Sequence, residues 1–273
     1  MDDIIPLPYI PYDPFFMFTF DQIKRNYSEE IARRNPRAIL VEYLQVELLN
    51  SLYKQKGSER LSFIGGTAIR IVYNSSRFSE DLDFDNFGLS FKEFDNLLNN
   101  AAQDMRKKGF ELECRMVEKG AYHYYVKFAG LLASNNLSNH TNEKILVRVD
   151  AVRKKNIIKP NIVRINSFDI YMNILANPAP VILSQKLITI LERKREKGRD
   201  FYDVSYLLGM TDPDYDYLKR EYGVKKEELK SQLLEKTSKL DMNEWAKDVL
   251  PFLIKPDDKE RILSFREYIE QRL

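Results

Sequence analysis

Between Leu61 and Asp85 the chain runs through an apolar stretch, Leu61-Ser-Phe-Ile64, and a glycine pair, Gly65-Gly66. A helically spaced segment follows from Thr67 to Tyr73, then a turn at Asn74-Ser75-Ser76, then the alternating Asp81-Leu-Asp83-Phe-Asp85. A buried strand that ends on two glycines and reopens as a helix presents backbone N–H groups at the helix start. That arrangement holds phosphate oxygens, and glycine allows them close to the backbone. The Thr67 hydroxyl is placed to donate to the same anion. In the alternating strand, period-two geometry puts Asp81, Asp83 and Asp85 on one face and Leu82 and Phe84 in the core. Neighbouring carboxylates on one face repel, and the arrangement becomes favourable around a hard divalent cation. Each half is common alone; together, at helix-length spacing, they are much more specific.

The rest of the chain fits around this segment as an α/β (α+β) protein with a mixed sheet. Residues 28–54 read as mostly helical, restarted at Pro36 with Asn35 as cap. Ser90 to Lys108 opens on a capping-box pattern, Ser-Phe-Lys-Glu. Strands are expected at Phe110–Val117, Tyr122–Ala129 and Lys144–Val152. In the last, Ile145, Val147 and Val149 share one face and Leu146, Arg148 and Asp150 the other. Beyond Pro180 the pattern is helical, with breaks near Gly198, Asp212-Pro213 and Lys255-Pro256. Three parts are expected: an N-terminal helical segment (1–60), a catalytic core (61–177) and a helical C-terminal region (178–273).

Composition narrows the chemistry. Cys114 is the only cysteine and His123 and His140 the only histidines, which argues against a Cys/His zinc site and an internal disulfide. Carboxylates and lysines are left to carry any reaction. The formal net charge is only +2, yet Lys144 to Asp200 holds 13 Lys/Arg against 5 Asp/Glu, a balance that suits a polyanionic substrate and equally a solvated face. The opening MDDIIPLPYIPYDP lacks the features of a secretory signal, and no apolar stretch approaches a membrane span. A soluble, cytoplasmic protein with no membrane partner is expected.

Gly65-Gly66-Thr67-Ala68 with Arg77-x-Ser79-x-Asp81-Leu82-Asp83-Phe84 resembles the first motif of the AbiEii/AbiGii toxin family, within the DNA polymerase β-like nucleotidyltransferases. Lys186-Leu-Ile-Thr189 and Lys197-Gly-Arg199-Asp200-Phe-Tyr-Asp203 are similar to the family's later lysine and Arg-Asp-x-x-Asp motifs. The resemblance covers about half the chain, in the expected order. It implies a Mg²⁺-dependent transfer of a nucleoside monophosphate from an NTP to an acceptor hydroxyl, tRNA or another RNA, by a toxin with a cognate antitoxin. Gly65, Gly66, Thr67, Lys186, Arg199 and Asp200 would hold the nucleotide. Asp81, Asp83 and Asp150 would hold the metal, and these three with Lys186 and Asp203 would carry catalysis.

The residues themselves leave alternatives open. The third carboxylate is either Asp150 or an aspartate of the Arg199–Asp203 motif, and Asp150 also fits a strand-end partner of Arg153. Lys186 lies beside the apolar stripe Leu183, Leu187, Ile190, Leu191, where a lysine often only snorkels. Arg199, Asp200 and Asp203 read equally as a structural cluster. Arg77 and Ser79 read as shaping the turn before the aspartates, and Asp85 as peripheral. The Tyr122–Tyr125 run suits base stacking or plain strand structure; Arg193, Lys194, Arg195 and Lys197 suit an RNA backbone or a solvated helix face. The rival functions are a small-molecule transferase of the aminoglycoside-modifying kind, transfer to a protein, and a nucleotide-binding module without turnover.

Overall fold

The computed structural model describes residues 18–273; the proline-rich lead-in, 1–17, lies outside them. The described chain opens with α1 (Phe20–Lys24), α2 (Glu29–Arg34) and α3 (Pro36–Tyr53). Pro36 sits in the first turn of α3, where its missing N–H costs nothing. Asn35 precedes it but makes no side-chain cap; its amide donates instead to the Pro251 carbonyl at 3.3 Å. Ile39, Leu40, Tyr43, Leu44, Val46, Leu48, Leu49 and Leu52 are all buried. A helix apolar on so many sides belongs inside a layer, and α3 lies against the sheet beneath α1 and α2.

Seven strands form one mixed sheet: β1 (Leu61–Ile64), β2 (Leu82–Asn86), β3 (Leu112–Glu118), β4 (Tyr122–Phe128), β5 (Ile145–Arg153), β6 (Asn161–Ser167) and β7 (Ile170–Ala176). Their order is β3-β4-β5-β2-β1-β7-β6. β2 runs parallel to β5 and β1 parallel to β7, and the other pairs are antiparallel. Helix α4 (Gly65–Ile71) follows β1 directly, two residues earlier than expected from sequence. Helix α5 (Phe91–Lys107), opened by the Ser90/Glu93 capping box, packs with α3, and α6 (Leu131–Ser134) is a single turn.

The alternation in β2 and β5 holds. Leu82, Phe84, Ile145, Val147 and Val149 are buried, and Phe84 packs on Phe63 with ring centroids 5.4 Å apart. The opposite face carries Asp81, Asp83, Arg148 and Asp150. In β4, Tyr122 and Tyr124 are buried, Tyr122 against Phe91 and Phe94, while His123 and Tyr125 lie on the polar face.

The β6–β7 hairpin was not expected. Its strands alternate well, with Ile170, Met172, Ile174 and Ala176 buried. Its turn is Phe168-Asp169, both at positive φ (52° and 55°), a conformation that usually announces itself through Asn-Gly. Burial against Tyr43, with ring centroids 5.4 Å apart, holds Phe168 in this uncommon backbone.

Beyond Pro178 the chain is helical: α7 (Ala179–Glu192), α8 (Gly198–Leu208), α9 (Tyr215–Tyr222), α10 (Lys226–Thr237), α11 (Met242–Val249), α12 (Glu260–Leu263) and α13 (Phe265–Arg272). The expected breaks occur, with others at Gly223, whose φ is +70°, between Thr237 and Met242, and at Ser264. Gly198 opens α8 because a Cβ there would overlap the Trp245 carbonyl. Residues 252–254 return to the sheet side. Phe78 N–H donates to the Phe252 carbonyl at 2.9 Å and Ile254 N–H to the Ser76 carbonyl at 2.8 Å, fixing the loop that leads into β2. Among the described residues no helix is long and apolar enough to cross a membrane.

Candidate active site

The parallel register of β2 and β5 sets the site. Asp83 lies directly beside Asp150, and His123 of β4 directly beyond it. Two residues back on β5, Arg148 stands beside Tyr125 of β4, and Asp81 immediately precedes β2. Four of these polar side chains form one network. Arg148 Nη2 donates to Asp81 Oδ2 at 2.7 Å, and Arg148 Nε lies 3.0 Å from Asp150 Oδ2. His123 Nδ1 meets Asp150 Oδ1 at 2.8 Å. Asp150 is thus partnered by His123 and Arg148, and not by Arg153.

The glycine pair makes room for this patch. Gly65 has φ +78°, and a Cβ on it would overlap the Asp83 carboxylate. A Cβ on Gly66 would stand 2.5 Å from Arg77 Nη2 and 2.7 Å from Ser79 Oγ. Thr67 departs from expectation. It is fully buried, and its hydroxyl donates to the Asp81 carbonyl, so the side chain holds the aspartate strand in place and does not face a ligand.

On the opposing side, α7 and α8 bring Lys186, Arg199, Asp200 and Asp203. Asp203 is completely buried and accepts from Arg77 Nε at 3.0 Å and from Arg77 Nη2 at 2.8 and 2.9 Å. Lys186 Nζ lies 2.9 Å from Asp203 Oδ2 and 3.5 Å from Asp200 Oδ1. Arg77 is therefore more than a turn former: it bolts the loop before β2 to α8. Arg193, in the connection after α7, pairs with Asp200 at 3.0 Å, and exposed Glu80 approaches Arg199 at 3.6 Å.

These residues line a cleft of about 270 Å³. Its anionic wall is Asp81, Asp83, Asp150 and Asp200; its cationic wall is Arg77, Arg148, Lys186, Arg193, Lys197 and Arg199. Asp83, Asp150, Lys186 and Arg193 also border an adjoining space of about 290 Å³ with walls from Ile64, Val152, Ile182, Ile188 and Tyr222. Asp85 borders that second space. It is fully buried, accepting from Asn177 Nδ2 at 2.7 Å and Gln185 Nε2 at 2.8 Å with Lys154 Nζ 3.5 Å away, and it does not line the first cleft.

The electrostatics differ along the cleft. Burial raises Asp83 to about 6; Lys186 opposes the shift, while Asp150 and Asp81 add to it. Burial also raises Asp81, against the pull of Arg148. Burial works against charge on Asp203 too, yet Arg77 and Lys186 outweigh it and hold that carboxyl below its ordinary range. Burial opposes the Lys186 charge, and Asp203 and Asp200 outweigh that, keeping the ammonium above its usual value. Lys197 is lowered, first by Arg199, then by burial and Arg193.

Among the described residues no three carboxylate, imidazole or thiol groups converge on one point. Asp81 and Asp150 are instead drawn to Arg148. The donors on this face are nonetheless hard oxygens, Asp83 and Asp150 in adjacent register positions, and burial raises both Asp83 and Asp81. That chemistry fits a hard divalent cation such as Mg²⁺. His123, Arg148 and Arg193 were not singled out individually from sequence as site residues. The site role of His123 and Arg148 shows through strand register, and the place of Arg193, expected only as part of a basic run, through its pairing with Asp200.

The family model described as nucleotidyl transferase AbiEii toxin, type IV TA system, matches residues 47–271. No curated protein matches the chain. Among solved structures, the fold is similar to MenT4, nucleotidyltransferase toxin Rv2826c from Mycobacterium tuberculosis H37Rv, with TM-score 0.59 and 16% identity over 93% of this chain and 90% of that one. It is also similar to JHP933 from Helicobacter pylori (TM-score 0.52, 19% identity, 86% and 91% covered). A putative nucleotidyltransferase from H. pylori gives TM-score 0.53 at 19% identity, with 90% and 95% covered.

Proposed function

Because the chain belongs to the AbiEii family, the nucleotidyltransferase toxins of type IV toxin–antitoxin systems, we propose that it moves a nucleoside monophosphate from an NTP onto a hydroxyl of tRNA in a Mg²⁺-dependent reaction. The observation that carries this reading is the juxtaposition of Asp83 with Asp150 across β2 and β5, facing Lys186 over a cleft with a cationic rim. Asp81, Asp83 and Asp150 are the residues to hold Mg²⁺. When bound, it neutralises charge on the triphosphate and on the attacking and leaving oxygens.

The chain's own groups supply the rest. The backbone at Gly65 and Gly66, with Lys186, Arg193 and Arg199, binds the triphosphate and orients its α-phosphorus. The acceptor hydroxyl attacks in line, its oxygen bonding to the α-phosphorus as the bond to the β-phosphate oxygen breaks and pyrophosphate leaves. Asp150, oriented by His123, takes the hydroxyl proton. Asp203 holds Lys186 and Arg77 in position and does not touch substrate. Asp200 does the same for Arg193 and Lys186. The adjoining apolar-walled space receives the nucleoside. Arg193, Lys197 and Arg199 on the rim favour a polyanionic acceptor over a cationic small molecule. A cognate antitoxin is the expected protein partner of a toxin of this family.

The test incubates the purified protein with each NTP labelled at the α-phosphate, Mg²⁺ and total bacterial tRNA, beside an Asp81→Asn/Asp83→Asn variant. Label on tRNA with the wild type, reduced about 10³-fold or more in the variant, is the expected result. NTP binding with no label on RNA overturns the tRNA acceptor and points to protein or small-molecule acceptors. Equal labelling by the variant overturns the metal site.

A further inference from the structure

Arg148 stands where the proposed reading needs a cation. Its guanidinium reaches two of the three carboxylates on that face, 2.7 Å to Asp81 and 3.0 Å to Asp150. The two contacts are unequal. The Asp81 contact is a hydrogen bond, whereas Nε, although buried and close to Asp150, lies outside hydrogen-bonding geometry to any group. A buried donor left unsatisfied is a cost that the guanidinium recovers by moving to a better acceptor. About a third of the side chain (36%) is exposed, and it borders the cleft.

Guanidinium binds carboxylate and phosphate with the same two-pronged geometry. The cleft where a triphosphate would lie is walled by Lys186, Arg193, Lys197 and Arg199, so phosphate oxygens would arrive within the space Arg148 borders. Arg148 takes one oxygen of Asp81 and one of Asp150, and a divalent cation held by these carboxylates would bring a second positive charge against the guanidinium, so the two compete.

We propose that Arg148 is a competitor of the divalent cation for Asp81 and Asp150, and that NTP relieves the competition by taking the guanidinium onto its phosphates. The proposal rests on the metal-dependent reading above. It makes metal and nucleotide binding mutually reinforcing: each ligand favours the arrangement in which Arg148 has left the carboxylates. Arg148 thereby disfavours metal binding without nucleotide and becomes a phosphate ligand once nucleotide arrives.

The test titrates Mn²⁺ into the full-length protein, reading free Mn²⁺ by electron paramagnetic resonance, with and without a non-hydrolysable α,β-methylene NTP. Wild type, Arg148→Gln, Arg148→Lys and Asp81→Asn/Asp83→Asn are compared, with circular dichroism confirming that each is folded. Without nucleotide, Arg148→Gln is expected to bind Mn²⁺ about tenfold more tightly than wild type, with Arg148→Lys between them. Adding the analogue should tighten Mn²⁺ binding about tenfold in wild type and much less in Arg148→Gln. Equal or weaker Mn²⁺ binding by Arg148→Gln without nucleotide overturns the competition while leaving the metal site standing. Mn²⁺ affinity that is absent throughout, or unchanged in the double aspartate variant, overturns the metal reading and this proposal with it.

Discussion

Two charged clusters share the walls of one cleft and are built on opposite terms. Around Asp203, two cations, Arg77 and Lys186, meet one fully buried carboxylate, and Asp200 lies within reach of Lys186. On the β2–β5 face, three carboxylates share the guanidinium of Arg148 and the more distant charge of Lys186. The consequence is written in the carboxyl groups: Asp203 is held low, whereas Asp81 and Asp83 are raised. One cluster is complete as it stands and joins the sheet to α8. In the other, burial raises Asp81 and Asp83, and the neighbouring carboxylates add to the shift.

The largest effect on stability should come from breaking the complete cluster. Asp203→Asn leaves Arg77 and Lys186 buried with little compensation, and removing one partner of such a pair costs about 3–5 kcal/mol. Urea unfolding should show this loss at pH 7. Asp203 is lowered in the folded protein, so its contribution is present above its unfolded pKa and lost as pH falls through the folded value. Wild type should therefore lose stability on the acid side more steeply than Asp203→Asn. A loss under about 1 kcal/mol, typical of an exposed pair, would mean that this cluster does not hold the two parts together.

The incomplete cluster should respond with the opposite sign. Asp83 rises from 3.8 to about 6 on folding, so the folded state prefers it protonated. The Asp83 contribution to stability without divalent cation should fall as pH rises from about 4 to about 6 and then level off. The full shift corresponds to about 3 kcal/mol, which solvent at the cleft mouth reduces to on the order of 1–2 kcal/mol. Asp83→Asn should be more stable than wild type by that amount at pH 7.5 in EDTA, and by less at pH 4.5, while losing transfer activity. Equal or lower stability at pH 7.5 would show that burying the Asp83 charge does not cost the fold stability.

The same contrast governs what the sequence discloses. Asp81 and Asp83 were legible because their alternation with Leu82 and Phe84 is local, and the glycine pair because its spacing to them is short. The strand-to-helix turn, the capping box at Ser90 and the faces of β5 were legible on the same ground. Arg77 was not, because its partner Asp203 lies 126 residues away and only the packing of α8 on the sheet side brings them together. The buried network of Asp85 was not legible because it depends on Asn177 and Gln185 from beyond the sheet. Thr67 was read as facing a ligand because a period gives a helix face, not which acceptor a hydroxyl finds first. The β6–β7 hairpin was hidden by a turn whose backbone is imposed by the burial of Phe168 and not by its own residue types.

The smallest effect belongs at the rim, where neither cluster reaches. Glu80 and Arg199 approach to 3.6 Å with Glu80 more than half exposed. Such a pair contributes about 0–1 kcal/mol, because solvent screens it and holding two long side chains together costs entropy. Glu80→Gln should unfold within about 1 kcal/mol of wild type. Its effect should fall on binding instead. Lys197 is already lowered by Arg199, which marks a crowd of like charges that a polyanion relieves. Freeing Arg199 from Glu80 adds one more cation to that crowd, so tRNA should bind more tightly at low salt, with a steeper loss of affinity as salt rises. Affinity measured from 50 to 200 mM salt reads this directly. An unchanged salt slope would remove Arg199 from the acceptor path and leave the rim's role to Arg193 and Lys197.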